Sequence, residues 1–406
     1  MATIGDHIAR LRIKRGLTQE GLAEAAEVSV DTIRKLESNG RNSARLSTLH
    51  QIARALSVPT TALVGDASAA AARREPDHSP LSLLALRRAL TPVRGTDGAV
   101  VDAAAEPNPP TLDSARESVR VANTLYHASD YSTALRILPD LLAEARVMAD
   151  SLSSGPAHAV ACEAYQLAAR LLIQIRAHDL AYVAVAEATR RATEAGDDLV
   201  SASVVGPACW LLLRQARLTE AGALATSAAD AMEPSRLSRA EPARVAAWGW
   251  LLIEAAAAAA RDSRPDDASE MLDLAAAAAV RVGRQPVSTG LPMVDGFSSG
   301  RVDTMRAEAA AIDGRPDEVL RLAARLRLDG MHPSCRHRHR LDVAWAYATR
   351  GNHAEAVSVL GELRSQAPDW LRHQRYAQDI VDQISAARRR AVGGELAALE
   401  ALFNAN

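Results

Sequence analysis

Apolar residues in this chain recur three or four positions apart, a spacing that places them on one face of an α-helix. Near the N-terminus, Ile4, Ile8 and Leu11 share such a face, and Gly16 is suited to end the helix in a left-handed conformation. The pattern therefore predicts a first helix over about residues 4–15.

Residues 18–37 predict two further helices joined by a tight turn. Thr18 and Ser29 are good N-cap residues, because their hydroxyls can accept hydrogen bonds from free N–H groups of the first turn. The small residue Ala23 allows the two helices to cross closely. The outward face of the second helix is left with Val30, Asp31, Thr32, Arg34 and Lys35. Hydrogen-bond donors and a methyl group on one exposed helix face suit the readout of base edges in the major groove of DNA.

A polar loop and two more helices follow. Asn39 and Gly40 favour a turn, and Arg41 in the same loop can reach a phosphate. The pattern predicts a fourth helix over about 46–56 and a short fifth helix that Pro59 opens.

This N-terminal segment resembles the Cro/C1-type (XRE) helix-turn-helix over about residues 4–64. The resemblance rests on the segment LSTLHQIARALSVP and on framework residues Gln19, Leu22, Ala23, Val28, Ile33, Leu36 and Glu37. It implies a five-helix domain that binds double-stranded DNA. It implies phosphate contacts from Gln19, Asn39, Arg41 and Asn42, base contacts from Ser29, Val30, Asp31, Thr32 and Lys35, and either contact from Arg34. The family often has Gly where this chain has Glu27, and a non-Gly residue in a left-handed turn costs about 1–2 kcal/mol.

Residues 66–112 change in composition. Two stretches rich in Ala, Pro, Gly and Asp lack helical periodicity and are typical of linkers. Between them, residues 80–90 predict a short amphipathic helix in which Leu81, Leu84 and Leu86 need a partner surface. This helix either packs on the first helix of the following region or couples that region to the DNA-binding domain or to a dimer contact.

From residue 113 onward the pattern predicts helical hairpins with a period near 40 residues. Each pair is joined by a short polar turn. The predicted pairs are 114–128 with 131–149, 157–176 with 179–195, 198–215 with 218–232, 242–261 with 265–282, 301–313 with 316–328, and 336–350 with 353–366. One or two capping helices are expected over 368–404. Segment 284–300 interrupts the pairs and is interpreted as an ordinary loop, with a lid as the alternative.

The hairpin region resembles tetratricopeptide repeats. The segment LDVAWAYATRGNHAEAVSVLGELRSQAP carries the match through Ala344, Tyr347, Gly351, Ala354, Ala356 and Pro368, and 122–139 gives a second match. The combination with a Cro/C1-type domain looks like a group of regulators common in actinobacteria. It is similar in plan to the peptide-sensing quorum regulators of Gram-positive bacteria. The predicted fold is thus all-α: a helix-turn-helix domain (1–65), a linker with a short helix (66–112) and a tetratricopeptide-like α-solenoid (113–406).

Charge and composition agree with this division. Residues 1–65 contain nine Lys/Arg and six Asp/Glu, whereas the rest of the chain contains 38 and 43. A basic domain on an acidic body suits DNA binding at the N-terminal end. No signal peptide or membrane-spanning run is evident, and the three cysteines are too widely spaced to predict a disulfide framework or a zinc site. A cytoplasmic protein without cofactor or metal is expected.

The resemblance to tetratricopeptide arrays implies a concave face, lined by the first helix of each hairpin, on which a peptide or small molecule binds. The candidate effector-binding residues there are Trp210, Trp248, Arg301, His337, His339 and Arg340. Three arginines and two histidines in 336–340 can hold a carboxylate or phosphate, or they can simply form a solvated helix start. Trp248 and Trp250 have core packing as their alternative. A metal site at His337 and His339 is disfavoured, because residues two apart on a helix point to nearly opposite sides.

No catalytic constellation occurs: the phosphate-binding glycine motif and the GxSxG nucleophile motif are both absent. The sequence therefore predicts a non-enzymatic, sequence-specific DNA-binding regulator, expected to be a homodimer whose repeat region dimerises, binds an effector, or does both. The alternative is a helical protein-interaction scaffold that binds DNA without sequence preference.

Overall fold

The computed structural model describes residues 4–26, 28–38, 51–52, 55–56, 58, 83–97, 100–101, 110–283, 287–326, 328, 331–387 and 393–404. Regular structure within these residues is helical, apart from one isolated antiparallel bridge between Arg94 and Val100. The chain divides into two compact units. We call Met1–Ser82 the head and Leu83–Asn406 the array.

The head contains the helix-turn-helix that the sequence predicts. Its described helices are α1 Ile4–Lys14, α2 Gln19–Ala25 and α3 Val30–Glu37. Thr18 Oγ1 accepts a hydrogen bond from the Gly21 N–H at 3.0 Å, and Ser29 Oγ accepts one from the Thr32 N–H at 3.1 Å. Both predicted N-caps are therefore present, and they fix where α2 and α3 begin.

The head core is apolar and closely packed. Its fully buried side chains are Ile8, Leu22, Ala23, Ala26, Ile33, Leu36, Ile52 and Leu56. A Cβ on Gly5 would lie 2.0 Å from the carbonyl oxygen of Leu36, so α1 and α3 meet at backbone contact. Ile52 and Leu56 are buried as predicted for helix four. Leu49 and Ala53 of the predicted helix four, helix five and the turn residue Glu27 lie outside the described residues.

The array is an α-solenoid of helical hairpins, as the sequence predicts. Its described hairpins are α5 Leu112–His127 with α6 Tyr131–Leu152, α7 Gly155–Gln174 with α8 His178–Ala195, α9 Asp198–Arg214 with α10 Leu218–Met232, α11 Pro242–Arg261 with α12 Pro265–Val282, α14 Ser299–Ile312 with α15 Pro316–Ala323, and α16 Pro333–Thr349 with α17 His353–Gln366. These bounds lie within three residues of the predicted ones at every end except one. Helix α15 ends at Ala323, whereas the pattern predicts residue 328.

All these hairpins share one turn conformation. The residue two positions before each second helix is left-handed, and these residues are Ser129, Arg176, Ala216, Ser263, Gly314 and Gly351. The next residue donates its N–H to the carbonyl five positions earlier, as in the 3.0 Å bond from Arg217 to Leu212 and the 2.9 Å bond from Asn352 to Tyr347. This is the Schellman pattern of helix termination. Its recurrence shows that hairpins of dissimilar sequence are copies of one structural unit.

We expect opposite stability effects from the same substitution at two nearby alanines. Ala216→Gly should stabilise the array by about 0.5–1 kcal/mol, because Ala216 is left-handed (φ 58°) and glycine has no Cβ penalty there. Ala223→Gly, an exposed site within α10, should cost about 1 kcal/mol. Thermal unfolding of the full chain should therefore shift upward for the first variant and downward for the second. Two downward shifts of equal size would show that the Ala216 turn carries no strain.

Four further described helices complete the array at its two ends. Helix α4 Leu84–Leu90 buries Leu86 and Leu90 and packs against α6 and α8, the second helices of their hairpins. The C-terminal part forms three helices, α18 Pro368–Arg372, α19 Arg375–Ala387 and α20 Gly394–Asn404, where the sequence predicts one or two. The short α18 was not predicted because Pro368 was assigned to the end of the last repeat.

Segment 287–298 is more ordered than the predicted loop. It contains the single-turn helix α13 Pro292–Asp295 and packs on α11. The ring of Phe297 lies against Gly249, where an added Cβ would fall 2.2 Å from the ring. Gly249 is therefore needed to let Phe297 enter the core.

The N-terminal and C-terminal ends of the array meet. Gln374 Nε2 donates to Gln174 Oε1 at 2.9 Å, and Ser132 Oγ donates to Asp369 Oδ2 at 2.8 Å. The His127 ring stacks on the His332 ring, with 4.0 Å between centroids. These contacts, 200 or more residues apart in sequence, close the array around its own interior.

Helix α11 is the one described helix long and apolar enough to cross a membrane by length and composition. In the array, 72% of its apolar window is buried between neighbouring helices. Its position in the array core accounts for its apolar sequence.

Candidate functional site

The outward face of α3 presents the side chains that the sequence assigned to DNA contact. Asp31, Arg34 and Lys35 are exposed, and Val30 and Thr32 are half-buried. Ser29 and Thr32 lie at the N-terminal end of α3, with 2.7 Å between their hydroxyl oxygens. The face is therefore continuous, accessible and rich in donors.

Each cation on this face is paired with an acid of the head. Arg34 Nη2 lies 2.7 Å from Glu20 Oε1, and Lys35 Nζ lies 2.6 Å from Asp31 Oδ2. All four side chains are more than half exposed. Exposed ion pairs contribute only about 0–1 kcal/mol, so either cation can change partner at small cost when a phosphate or base approaches.

Behind this face, Glu37 receives three hydrogen bonds. Arg12 donates to both carboxylate oxygens, from Nε at 2.7 Å and from Nη2 at 2.9 Å, and Gln19 Nε2 donates at 2.7 Å. Burial alone would raise the pKa of Glu37, but the hydrogen bonds from Arg12 and Gln19 lower it below its usual value. The amide of Gln19 has a second N–H, which stays available to a phosphate. The sequence identified Gln19 and Glu37 as framework residues and missed Arg12.

The other predicted phosphate contacts, Asn39, Arg41 and Asn42, lie outside the described residues. The structure thus brings six of the predicted DNA-contact residues together at the start and outer face of α3. Gln19 lies beside them, at the start of α2.

The array contains an open cavity of about 590 Å³. Its wall contains residues from the first helix of every described hairpin, α5, α7, α9, α11, α14 and α16, and none from their second helices. Residues of 292–298 and the end-to-end contact around His127, His332 and Gln374 complete the wall. The cavity is therefore the concave side of the solenoid.

Five arginines line this cavity: Arg170, Arg214, Arg261, Arg301 and Arg338. Arg170 is paired with Glu163 at 2.8 Å, and Glu308 is shared by Arg261 and Arg338, the latter at 3.3 Å.

Arg214 and Arg301 differ from these three, because neither forms an ion pair with a described residue. Their guanidinium groups lie over the rings of Trp210 and Trp250, at 5.9 and 5.3 Å from the ring centroids. The cavity thus carries uncompensated positive charge.

Burial shifts the pKa values of charged groups in the cavity. The surrounding protein partly desolvates the exposed Arg214 and lowers its pKa to about 10, with repulsion from Arg338 and Arg261 adding to the effect, so Arg214 stays charged at neutral pH. Burial raises the pKa of Glu254 to about 7, and the opposing effects of Arg301 and Trp250 offset this only in part. Burial acts in the same direction on Glu308, but the surrounding arginines hold its pKa below the usual value. Glu308 is therefore an anion at neutral pH, while Glu254 is partly protonated.

The histidines of the cavity add no charge near neutral pH. Burial lowers the pKa of His127 to about 3, helped by repulsion from His332 and Arg170. It also lowers the pKa of His332. Both rings are neutral aromatic surfaces at the point where the ends of the array meet.

The structure divides the effector residues named from the sequence. Trp210 and Arg301 line the cavity. Trp248, His337, His339 and Arg340 do not, although the sequence placed all six on one surface. Trp248 lies in the hydrophobic core, His337 packs 5.5 Å from the Trp370 ring, His339 is buried, and Arg340 pairs with Glu362 at 2.5 Å.

Helical periodicity explains this division. Successive residues are 100° apart around a helix, so Trp250 and Arg338 face the cavity while Trp248, His337 and His339 face away from it. Burial lowers the pKa of both His337 and His339 to about 4, and both are neutral at neutral pH.

Several wall residues were not identified from the sequence, among them Arg170, Arg214, Glu254, Arg261 and Glu308. Glu254 could have been identified, because it is the one acidic residue in the apolar sequence of α11. Carboxylates are rarely buried without a partner, so its position indicates a functional or structural role. The other charges occur where amphipathic helices ordinarily face solvent, so nothing in the local pattern indicated that they line a cavity.

The described residues contain no group of three or more His, Cys, Asp or Glu side chains arranged to hold a metal ion. Cys162 and Cys209 are buried free thiols, and Cys335 lies at the cavity wall.

Comparison with known proteins identifies the head. Residues 8–63 match the family model described as Helix-turn-helix. The chain carries a DNA-binding helix-turn-helix domain of the Cro/C1 type. No curated protein matches the chain significantly. Among solved structures, the chain is similar to the crystal structure of Bacillus thuringiensis PlcR in complex with the peptide PapR7 and DNA, at 11% identity and a TM-score of 0.32, over 88% of this chain and 99% of that chain.

Proposed function

We propose that this protein is a cytoplasmic, sequence-specific transcription regulator without enzymatic activity. Helix α3 enters the major groove and reads base edges through Ser29, Val30, Asp31, Thr32 and Lys35. Gln19, Asn39, Arg41 and Asn42 contact phosphates, and Arg34 contacts a base or a phosphate. The observation that carries this proposal is the accessible face of α3, held in place by two N-caps and by the Arg12–Glu37–Gln19 contacts, inside a matched helix-turn-helix domain.

The array has two proposed tasks. It binds a peptide or small-molecule effector on its concave side, which the cavity of about 590 Å³ supports. It also pairs two chains as a homodimer of tetratricopeptide-like arrays, so that two heads read an inverted repeat about one helical turn apart. An effector regulates such a protein only if it binds the DNA-competent and DNA-incompetent arrangements with different affinities.

Lys35→Ala is expected to weaken specific DNA binding by about 1–3 kcal/mol, because a lost contact to a base edge is worth that much. Sheared genomic DNA is selected with the full-length wild-type protein and with the variant at near-physiological salt. Lys14→Ala is the matched control, since Lys14 is the chain's other lysine and is exposed at the end of α1. The wild type and this control should enrich the same few fragments, which share an inverted repeat.

The selection also separates the alternatives. Equal weakening of all fragments by Lys35→Ala would assign Lys35 to phosphate contact, and unchanged enrichment would remove it from the interface. Even recovery of all fragments by the wild type, with and without cell extract, would overturn sequence-specific recognition. That result, together with co-purifying protein partners, would favour a helical interaction scaffold.

A further inference from the structure

We propose that the effector is a small organic anion, with a carboxylate or phosphate group held by Arg214 and Arg301 and a flat apolar body held against Trp210 and Trp250. This inference rests on the proposed role of the array as a sensor and specifies the chemistry of its ligand. It involves binding alone, and no bond is made or broken.

The charge of the cavity favours an anionic ligand. Arg301 is half-buried and Arg214 is exposed at the cavity wall, and neither has a described ion-pair partner. Arg301 Nε is also buried without a hydrogen-bond partner. The other cavity arginines are already paired with Glu163 or Glu308. Two unpaired guanidinium groups facing the same empty space are complementary to an oxyanion, which accepts two parallel N–H bonds from each arginine it meets.

The aromatic surfaces of the cavity wall favour a ligand with a flat apolar body. Trp210 and Trp250 are half-buried in the cavity wall, each beside one of the two unpaired arginines. Met293, Met305 and Trp370 extend this apolar surface. A ligand with only an anionic group would leave these surfaces in contact with water, whereas a flat apolar body attached to that group would cover them.

The volume of the cavity and the contact between the two ends of the array favour a small molecule. The volume of about 590 Å³ lies within the range of about 300–1,000 Å³ found for small-ligand sites. The Gln174–Gln374 and His127–Ser334 contacts join the two ends of the array. An extended chain lying along the concave face would have to pass between these ends, so the closed array favours a small molecule.

The two arginines lie on different hairpins, which gives the ligand a means of control. Arg214 ends α9 in the third hairpin, and Arg301 is in the first turn of α14 in the fifth. An anion that contacts both joins hairpins between which the fourth is packed. Such a ligand favours the closed array over any arrangement in which these hairpins separate.

The test uses two fluorescent probes that differ by one group. 1-Anilinonaphthalene-8-sulfonate carries an oxyanion on a flat apolar body, and N-phenyl-1-naphthylamine is the same ring system without the sulfonate. We expect the full-length protein to bind one equivalent of the sulfonate at least tenfold more tightly than the neutral probe. Equal affinity for the two probes would overturn the proposal, and this comparison requires no variant.

Variants then locate the site. Arg214→Met and Arg301→Met should each weaken binding of the sulfonate probe about tenfold and leave binding of the neutral probe unchanged. Neither substitution breaks an ion pair, so folding should be preserved, which circular dichroism checks. The matched control is Arg136→Met, an exposed arginine on α6 outside the cavity, and it should have no effect. Unchanged sulfonate binding in both cavity variants would place the probe elsewhere and overturn the proposal.

Competition against the bound sulfonate probe distinguishes the two head groups. Phenyl phosphate displacing the probe at lower concentration than 3-phenylpropionate would identify a phosphate ligand, and the reverse order a carboxylate. Displacement by neither would overturn the proposal. These measurements contain no DNA, so they test the anion site independently of the genomic selection. Either proposal can be overturned while the other is supported.

Discussion

Glu37→Gln is expected to destabilise the head by about 3–5 kcal/mol, the usual cost of removing one partner from a buried ion pair. The side chains of Arg12 and Glu37 are only 14% and 7% exposed, and Arg12 contacts both carboxylate oxygens. The amide keeps the shape of the carboxylate but removes its charge, so Arg12 would remain buried without an anion. Because Arg12 lies on α1 and Glu37 at the end of α3, the contact between these helices should loosen.

Hydrogen–deuterium exchange of the full-length protein is the suitable measurement. Peptides covering 4–26 and 28–38 should exchange faster in Glu37→Gln, while array peptides such as 157–176 serve as an internal control. Glu20→Gln is the matched substitution at an exposed pair, and its effect on exchange should be much smaller than that of Glu37→Gln. Equal exchange in wild type and Glu37→Gln would show that the ion pair does not stabilise the head.

The same pair gives the head a defined pH dependence. The pKa of Glu37 is lower in the folded head than its ordinary value of 4.5. Its stabilising contribution is therefore fully present above about pH 4.5 and is lost as the pH falls through the lower folded value. Protection of the head peptides in the wild type should decrease below pH 4.5, beyond any decrease in Glu37→Gln. This acid-dependent difference should be absent from the array peptides.

The sequence predicted the described helices closely because their signals are local. N-caps at Thr18 and Ser29, glycines in two hairpin turns and a 3.6-residue period each act within a few residues. The four hairpin turns without glycine adopt the same left-handed conformation because the packing of the two helices determines it. Local preference and tertiary packing agree at Gly351 and disagree at Ala216.

The cavity could be predicted only in part, because it depends on how distant hairpins curve together. The resemblance to tetratricopeptide repeats predicted that a ligand would bind on the concave face. Which side chains point to that face depends on the 100° step between successive residues around each helix. The sequence therefore indicated Trp210 and Arg301 together with Trp248, His337, His339 and Arg340, which the structure separates from them. The meeting of Gln174 with Gln374 left no local pattern at all.

Glu308→Gln is expected to have the largest effect in the array, a loss of about 3–5 kcal/mol in the free energy of unfolding. Glu308 is buried between Arg261 and Arg338, which belong to the neighbouring hairpins on either side. Without its charge, two guanidinium groups would face each other at the cavity wall with no anion between them. Thermal unfolding of the full-length protein, followed by tryptophan fluorescence, should show the loss.

Two comparison variants determine whether the charge of Glu308 is the cause. Glu220→Gln removes the same charge from an exposed pair with Arg217 and should have a much smaller effect. Arg338→Met added to Glu308→Gln should restore part of the lost stability, because it removes one of the two uncompensated cations. If Glu308→Gln were no less stable than Glu220→Gln, the charge of Glu308 would not be the cause, and the arginines would have to be stabilised by solvent in the cavity.

In the folded fraction of Glu308→Gln, the 1-anilinonaphthalene-8-sulfonate probe should bind more tightly than in the wild type. The carboxylate that stabilises the array is therefore also the group that opposes an anionic ligand.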